Sequence, residues 1–232
     1  MRRTLREPAS LSESLHRRLN AYALAASAAG VSVLAMAQPA EAKIIYTPAH
    51  VVLGARSNTA YNLDLNRDGI RDFTLSHGYN YSSTTGFLFS IVQMEPYEEN
   101  ANRIAGPSAY ASALRAGVRV GPSNRFSGNG IMAVGRANGR SGIPTYQGVW
   151  ANKGKGLQNR YLGLTFAIKG KPHYGWARIN ISKYPFTTTL TGYAYETIPN
   201  KPIVAGKTKG PDVITLQPAS LGALAAGASQ RE

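Results

Sequence analysis

Short runs in which apolar and polar residues alternate dominate the chain after residue 42. Each run is four to seven residues long and is bounded by turn-forming residues. The clearest are "AYNLDL" (residues 60–65), "DFTLSH" (72–77), "GFLFSIV" (86–92), "GIMAV" (130–134) and "GVWA" (148–151). Because successive side chains of a strand point to opposite faces, this period of two predicts short β-strands.

Three longer runs near the end of this region predict a meander. The first, "YLGLTFAIKG" (161–170), places four apolar side chains on one face: Leu162, Leu164, Phe166 and Ile168. "KGKP" (169–172) favours a turn, "HYGWARINIS" (173–182) returns, and "TTTLTGYAYET" (187–197) supplies a third strand. We therefore expect three consecutive antiparallel strands.

One segment carries helix signals. Ser108 is a suitable N-cap for "AYASALRAG" (109–117), and Gly117 suits the C-terminal cap. The Gly-, Asn-, Arg- and Ser-rich stretch from Val118 to Gly156 predicts long irregular loops. The predicted fold is therefore all-β, an antiparallel, jelly-roll-like β-sandwich with one short helix and long Gly-rich loops.

The domain limits follow from changes in composition. We expect the β-sandwich to span residues 43–199, because "NKPIVAGKTKGPD" after Pro199 alternates basic residues with Pro and Gly. Residues 200–232 then form a linker and a flexible C-terminal tail. Its last apolar run, about eight residues, is too short to span a bilayer.

The first 42 residues have the order of a secretory signal peptide. Arg17 and Arg18 precede an uncharged apolar run (19–37), and two small-residue sites, "AMA" and "AEA", follow. The favoured cleavage point is after Ala42, with Ala37 as the second choice. The alternative is a permanent transmembrane anchor, but the Ala, Ser and Gly content makes this run weakly apolar. The paired arginines match a twin-arginine signal poorly, so we expect the general secretory route and no membrane span after cleavage.

Composition narrows the class of protein further. Of the 232 residues only 16% are charged, while Gly (24), Tyr (13) and Pro (13) are plentiful, as in turn-rich β-proteins. The chain has no cysteine. In an exported chain this indicates a bacterial envelope or extracellular protein whose core suffices without disulfides.

The remaining chain is strongly basic. Without residues 1–42 it has 21 Lys and Arg against 9 Asp and Glu, a formal charge of +12. Such a charge attracts nucleic acid, anionic lipid or acidic polysaccharide. The basic residues are scattered, so solvated loop charge is the simpler interpretation. Polysaccharide or other envelope and matrix components are the favoured partners. Nucleic acid, through arginines such as Arg119, Arg125, Arg136 and Arg140, ranks below them.

The stretch "LDLNRDGIRDF" (63–73) has the spacing of a cation-binding loop. Calcium prefers six to eight hard oxygen ligands, and a tight turn at Gly69 can wrap oxygens around one ion. The predicted metal ligands are Asp64, Asn66, Asp68, the backbone carbonyl of Ile70, and Asp72. The sequence therefore predicts a structural Ca²⁺ ion between two strands.

This stretch departs from an EF-hand, because Leu75 stands where the bidentate Glu would be required. It is similar to the calcium loops of FG-GAP repeats, and that resemblance implies that Asp72 closes the ligand shell. The alternative is an Asx-type turn that binds nothing. In that case Arg67 and Arg71 would compensate the three carboxylates.

Several motifs together resemble exported bacterial proteins of unknown function that carry a PEP-CTERM sorting tail. The most specific are "HYGWAR" and "GYAYET", and the "LDLNxDG" and "AEAKIxYTPAH" segments also match; the resemblance covers most of residues 41–226. It assigns no catalytic residue. The chain's own C-terminus, "QPASLGALAAGASQRE", lacks the full apolar span and terminal Arg cluster of such a tail.

No spacing of residues predicts catalysis. The carboxylates that a glycosidase would need are unpaired in the sequence, and the histidines lack zinc-ligand spacing. The carboxylates are those of Glu95, Glu98, Glu99 and Glu196, and the histidines are His50, His77 and His173. We expect a non-catalytic protein, with a carbohydrate-binding module or a glycosidase-like enzyme as the alternative.

Four rings are candidates for ligand binding. Tyr174, Trp176, Tyr193 and Tyr195 alternate along two predicted strands, and an exposed row of rings could stack on sugars. The alternative is that these rings pack in the core.

Overall fold

The structure is a computed structural model that describes residues 43–97, 101–139 and 143–210. All of them belong to one compact unit, Ala42–Glu232. The predicted signal peptide and the tail beyond Gly210 lie outside the described residues. Within the described part of the chain, no helix is long and apolar enough to span a membrane.

The described residues form thirteen strands and one 3₁₀ helix, joined by turns and loops. The strands are β1 Ile44–Leu53, β2 Thr59–Leu63, β3 Phe73–Ser82, β4 Phe87–Pro96, β5 Arg103–Ala105, β6 Arg119–Val120, β7 Phe126–Ser127, β8 Ile131–Ala137, β9 Thr145–Gln147, β10 Arg160–Ile168, β11 Lys171–Ile181, β12 Thr188–Glu196 and β13 Ile203–Val204. The 3₁₀ helix is Val149–Gly154, and its φ angles turn positive at Asn152 and Lys153.

The strands form two large sheets and one small one, and all named pairs are antiparallel. The six-stranded sheet has the order β1-β12-β11-β10-β5-β7, and the five-stranded sheet has the order β2-β3-β4-β8-β9. The third sheet pairs only β13 with β6. This arrangement confirms the predicted all-β, sandwich-like fold.

The main core combines apolar side chains from both large sheets. The six-stranded sheet contributes Leu162, Leu164 and Phe166, and the five-stranded sheet contributes Phe73, Leu75, Val92 and Met94. A second cluster lies on the other face of the six-stranded sheet, beneath β6 and β13. It consists of Val120, Tyr161, Tyr174, Trp176, Ala194, Ile203 and Ala205.

The predicted meander is confirmed as β10, β11 and β12. Ile168 pairs with Lys171, so two residues close the first hairpin, and both of them have positive φ. Consecutive hairpins also form β2-β3-β4 in the other sheet. These neighbouring strands follow meander connectivity within each sheet.

The predicted helix over 109–117 is wrong. Its backbone groups bond to neighbouring chain segments: Ser112 N–H donates to Ala105 O, and Leu114 and Tyr161 exchange two bonds of 2.9 Å. These bonds use the groups that a helix would need internally. The segment instead lies beside β10 as irregular chain with one isolated bridge.

The predicted strand "GVWA" is also wrong, because Val149–Gly154 is the 3₁₀ helix. Gly148, with φ of 83°, begins this turn, and Trp150 is fully buried beneath it. The predicted long loops between Val118 and Gly156 are interrupted by β6, β7, β8 and β9.

The folded domain extends past the predicted limit at residue 199. Ile203 and Val204 pair with Val120 and Arg119 as β13 and β6. Ile203 and Ala205 are buried in the second hydrophobic cluster. The predicted linker is therefore wrong over this stretch, because its apolar residues complete a packed layer.

Candidate metal centre

The candidate loop connects β2 to β3 at the edge of the five-stranded sheet. Leu63 ends one strand and Phe73 begins the next, and both side chains are fully buried. Asp72 N–H donates to Leu63 O at 2.9 Å, which closes the base of the loop. Leu65, only 1% exposed, anchors the loop to the core. The core thus fixes both ends of the oxygen-rich segment.

Two carboxylates shape the turn by accepting backbone N–H groups. Asp64 accepts hydrogen bonds from Arg67 N–H (2.6 Å) and Gly69 N–H (2.8 Å). Asp68 accepts one from Ile70 N–H at 2.8 Å. Positive φ angles at Arg67 (60°) and Gly69 (86°) allow the chain to curl around these oxygens.

The two polar atoms of the Asn66 side chain differ in their hydrogen bonding. The Nδ2 group donates to Asp68 Oδ2 at 2.8 Å. The Oδ1 atom is buried and has no hydrogen-bond partner among the described residues. Buried polar atoms nearly always have a partner, since leaving one unpaired costs about 1–3 kcal/mol. A bound cation would supply the missing partner.

Asp72 is the most buried of the three acids, at 2% exposure. Its Oδ2 accepts Leu65 N–H at 2.7 Å, and its backbone oxygen accepts Tyr97 N–H and Asn102 Nδ2, both at 2.9 Å. The pKa of Asp72 is raised to about 7: burial is the largest cause, the Leu65 N–H opposes it, and the negative charges of Asp64 and Asp68 add to it. Asp64 and Asp68 are therefore close enough for their charges to repel that of Asp72.

The two arginines of the loop form no ion pair with these acids in the part of the chain that the structure describes. No ion pair within 4.0 Å joins Arg67 or Arg71 to the loop carboxylates in the described structure. The Arg71 guanidinium instead lies over the Tyr97 ring, 4.9 Å from its centre. The contacts thus give no support to arginine compensation of the loop charge.

The donor set is mixed. The described residues contain no group of three or more His, Cys, Asp or Glu side chains placed to hold a metal. An ion here would need the amide oxygen of Asn66 and the carbonyl of Ile70 in addition to carboxylates. Hard, uncharged oxygens of this kind suit Ca²⁺ better than Zn²⁺.

Two residues around the loop, Asn102 and Tyr97, had no sequence signal, and a third, Tyr195, was a candidate only as an exposed ring. Asn102, fully buried, donates to Asp72 O and accepts Ala167 N–H, so it links the loop to β10. Tyr97 donates its N–H to Asp72 O, and its ring lies beneath the Arg71 guanidinium. The pKa of Tyr195 is raised by burial and then by the charges of the loop acids, so β12 also lies close to the loop.

The four candidate rings do not form an exposed row. Tyr174, Trp176, Tyr193 and Tyr195 are between 1% and 7% exposed. Tyr174 and Trp176 pack in the second cluster, whereas Tyr193 and Tyr195 pack in the main core. The hypothesis of a stacking platform for sugars is therefore wrong for these rings.

Size complementarity across β11 and β12 explains their burial. Gly175 pairs with Tyr195 and Ala177 with Tyr193, while Trp176 pairs with Ala194. A Cβ atom at Gly175 would come within 2.8 Å of Ala194 O. Small residues on one strand thus leave room for large ones on the other, on both faces.

The remaining candidate acids and histidines lie apart. Glu95 is on β4, and Glu196, 2% exposed, is on β12, where it accepts Ile198 N–H and pairs with Lys201. Glu98 and Glu99 lie outside the described residues. His77 and His173 are buried, with partners in Ser90 Oγ and Glu196 O respectively, and His50 is exposed.

Comparison of the chain with known protein families, with curated proteins and with solved structures finds no match. The resemblances drawn from the sequence motifs therefore stay predictions.

Proposed function

We propose that this chain is an exported, non-catalytic β-sandwich protein that binds one Ca²⁺ ion in the loop between β2 and β3. The ion would fasten that loop to the core, and the domain would act in binding or structure at the cell envelope or outside the cell. The single observation that carries the calcium assignment is the buried, unpartnered Oδ1 of Asn66, whose amide nitrogen is bonded to Asp68.

The surroundings of the loop support this proposal. The negative charges of Asp64 and Asp68 repel that of Asp72. Neither nearby arginine forms an ion pair with these acids among the described residues. A divalent cation would relieve that repulsion and satisfy Asn66 at the same time. Affinity in the range of extracellular modules is expected, since one loop supplies few ligands.

The non-catalytic assignment rests on where the acids lie. Glu95 and Glu196 belong to different sheets, and Glu196 is occupied by a backbone N–H and by Lys201. A glycosidase needs two carboxyl groups facing one substrate bond. Export is supported by the leader-like pattern of residues 1–42 and by the absence of cysteine from the sequence.

Thermal unfolding in 1 mM CaCl₂ and in chelator tests the calcium site. At a Kd of about 10⁻⁵ M the ion adds roughly 2.7 kcal/mol to the free energy of unfolding. That corresponds to a rise in Tm of about 5–10 °C for a domain of this size. The Asp68→Ala variant should lose this rise, while Glu95→Gln, which removes an exposed acid elsewhere, should keep it.

The decisive quantity is the difference between the two buffers, and not Tm itself. Asp68→Ala also deletes acceptors for Ile70 N–H and Asn66 Nδ2, so it lowers Tm even in chelator. Equal melting temperatures for the wild type in calcium and in chelator would show that the loop is only a turn.

A further inference from the structure

The exposed charge of the described domain is almost entirely positive. The described residues include 19 Lys and Arg but only five Asp and Glu. Three of the five acids are the loop residues Asp64, Asp68 and Asp72, and Glu196 is buried. Within the described ranges only Glu95 remains as an exposed acid outside the loop.

Four arginines concentrate this charge on one side of the six-stranded sheet. Arg115, Arg119 and Arg125 are exposed, and each adjoins a residue packed in the second cluster: Leu114, Val120 and Phe126. The anchored residues pack inward, and the exposed arginines beside them lie at the surface. Arg103 on β5 is also exposed and has the same strand parity as Ala105, which lies beside Gly163 on that face.

Backbone bonds hold these segments together as one surface. Gly106 N–H donates to Arg125 O (3.0 Å), and Ala205 N–H donates to Val118 O (2.8 Å). A cleft of about 180 Å³ lies between the segments, and Ser112, Asn124 and Arg125 are among the residues that line it. We name Arg103, Arg115, Arg119 and Arg125, with this cleft, the arginine face.

The described part of the chain places no counter-charge on the arginine face. Among the described residues none of its four arginines forms an ion pair, and none of the five acids falls in residues 101–127 or 199–210. All four charges are arginine, whose planar guanidinium matches carboxylate groups with two parallel hydrogen bonds. A partner with repeated negative groups complements such a surface.

We propose that the arginine face binds an acidic polysaccharide, with a carboxylate of the polymer in the cleft at Arg125. The choice of polysaccharide over nucleic acid or lipid rests on the export in the proposed function, because carboxylated sugars are polyanions found outside cells. The neighbouring rings Phe126 and Tyr161 pack inward, so they do not offer the stacking platform that single-stranded nucleic acids use.

Binding to polygalacturonate, measured by calorimetry on the whole chain, tests the proposal. We expect binding that weakens with added NaCl, and no binding to neutral dextran. The triple variant Arg115→Ser, Arg119→Ser and Arg125→Ser should weaken binding about tenfold or more. The control Lys155→Ser, Lys171→Ser and Lys183→Ser removes the same charge from exposed positions elsewhere and should keep most of the affinity.

Three results would overturn the proposal: no binding to polygalacturonate, equal loss in the two triple variants, or tighter binding to duplex DNA or to anionic lipid vesicles. If the arginine variant does not fold, phenylglyoxal labelling of the wild type replaces it. The polymer should then protect Arg115, Arg119 and Arg125 but not Arg56, and equal protection would count against the site. Calcium-dependent melting of the same samples separates failure here from failure of the calcium site.

Discussion

His77 is a buried histidine that makes stability depend on pH. It lies on β3 at 1% exposure, and Nε2 forms a 2.9 Å hydrogen bond with Ser90 Oγ. Burial lowers the pKa of His77 below its ordinary 6.5. The unfolded chain therefore binds the proton more tightly than the folded one. The stability contribution is full above pH 6.5 and is lost as pH falls towards the folded pKa, at up to about 1.4 kcal/mol per pH unit.

Urea unfolding between pH 7 and pH 5 measures this effect. His77→Gln keeps a hydrogen-bonding group for Ser90 but cannot be protonated, so its free energy of unfolding should rise relative to that of the wild type as the pH falls from 7 to 5. Asp72, whose raised pKa acts in the opposite direction over this range, is common to both proteins and cancels in that difference. His50→Gln, at an exposed position, should leave the pH dependence unchanged. A slope that is the same in all three proteins would rule out His77 as its source.

The face of the sheet on which each aromatic ring lies also depends on single residues. Alternation correctly identified Tyr174 and Trp176 as sharing a face, and likewise Tyr193 and Tyr195. Whether the rings of one strand lie on the same face as the rings of the next depends on the pairing register. A register slip of one residue would reverse that relation. The observed register pairs Trp176 with Ala194, which places the two pairs on opposite faces. No local pattern contains that information.

At the scale of elements, the longest alternating runs were the most predictable. The runs that became β10, β11 and β12 have enough alternating positions to exclude a helix, and the Lys169-Gly170 turn separates the first two. The segment 109–117 has helix caps and Ala. Its backbone groups nevertheless bond to Ala105 and Tyr161, which are not the residues four positions away that a helix would pair. Two-residue strands such as β6 and β13 are too short to show a period.

The short strand β13 should nevertheless stabilise the domain. Ile203 is 1% exposed in the second cluster, whereas its neighbour Val204 is only partly buried. Ile203→Ala should lower the free energy of unfolding by about 2–4 kcal/mol, through lost burial and a cavity. Val204→Ala should cost about 1 kcal/mol or less. Equal, small losses in urea unfolding would mean that the folded domain ends before β13.

At the scale of the whole molecule, the candidate site was predictable only in part. The spacing of Asp64, Asn66 and Asp68 predicts a cation site because these candidate ligands are close in sequence. The burial of Asp72 and its link to Asn102 depend on packing between segments 30 residues apart. The arginine face likewise arises because three separate segments cover one sheet, so the sequence showed its arginines only as scattered charge.

Export is the last expectation, and it concerns the chain as a whole. Lys43 is the first described residue, and it already belongs to the fold: its N–H donates to Thr197 Oγ1 (3.1 Å), and its carbonyl accepts Thr197 N–H (3.0 Å). Cleavage after Ala37 or Ala42 would leave these bonds and all of β1 intact. Proteins beginning at Gln38 and at Lys43 should therefore melt within about 2 °C of each other. In a bacterial host, mass spectrometry of envelope and medium should find one of these N-termini, and intact Met1–Ala42 in the cytoplasm would contradict export.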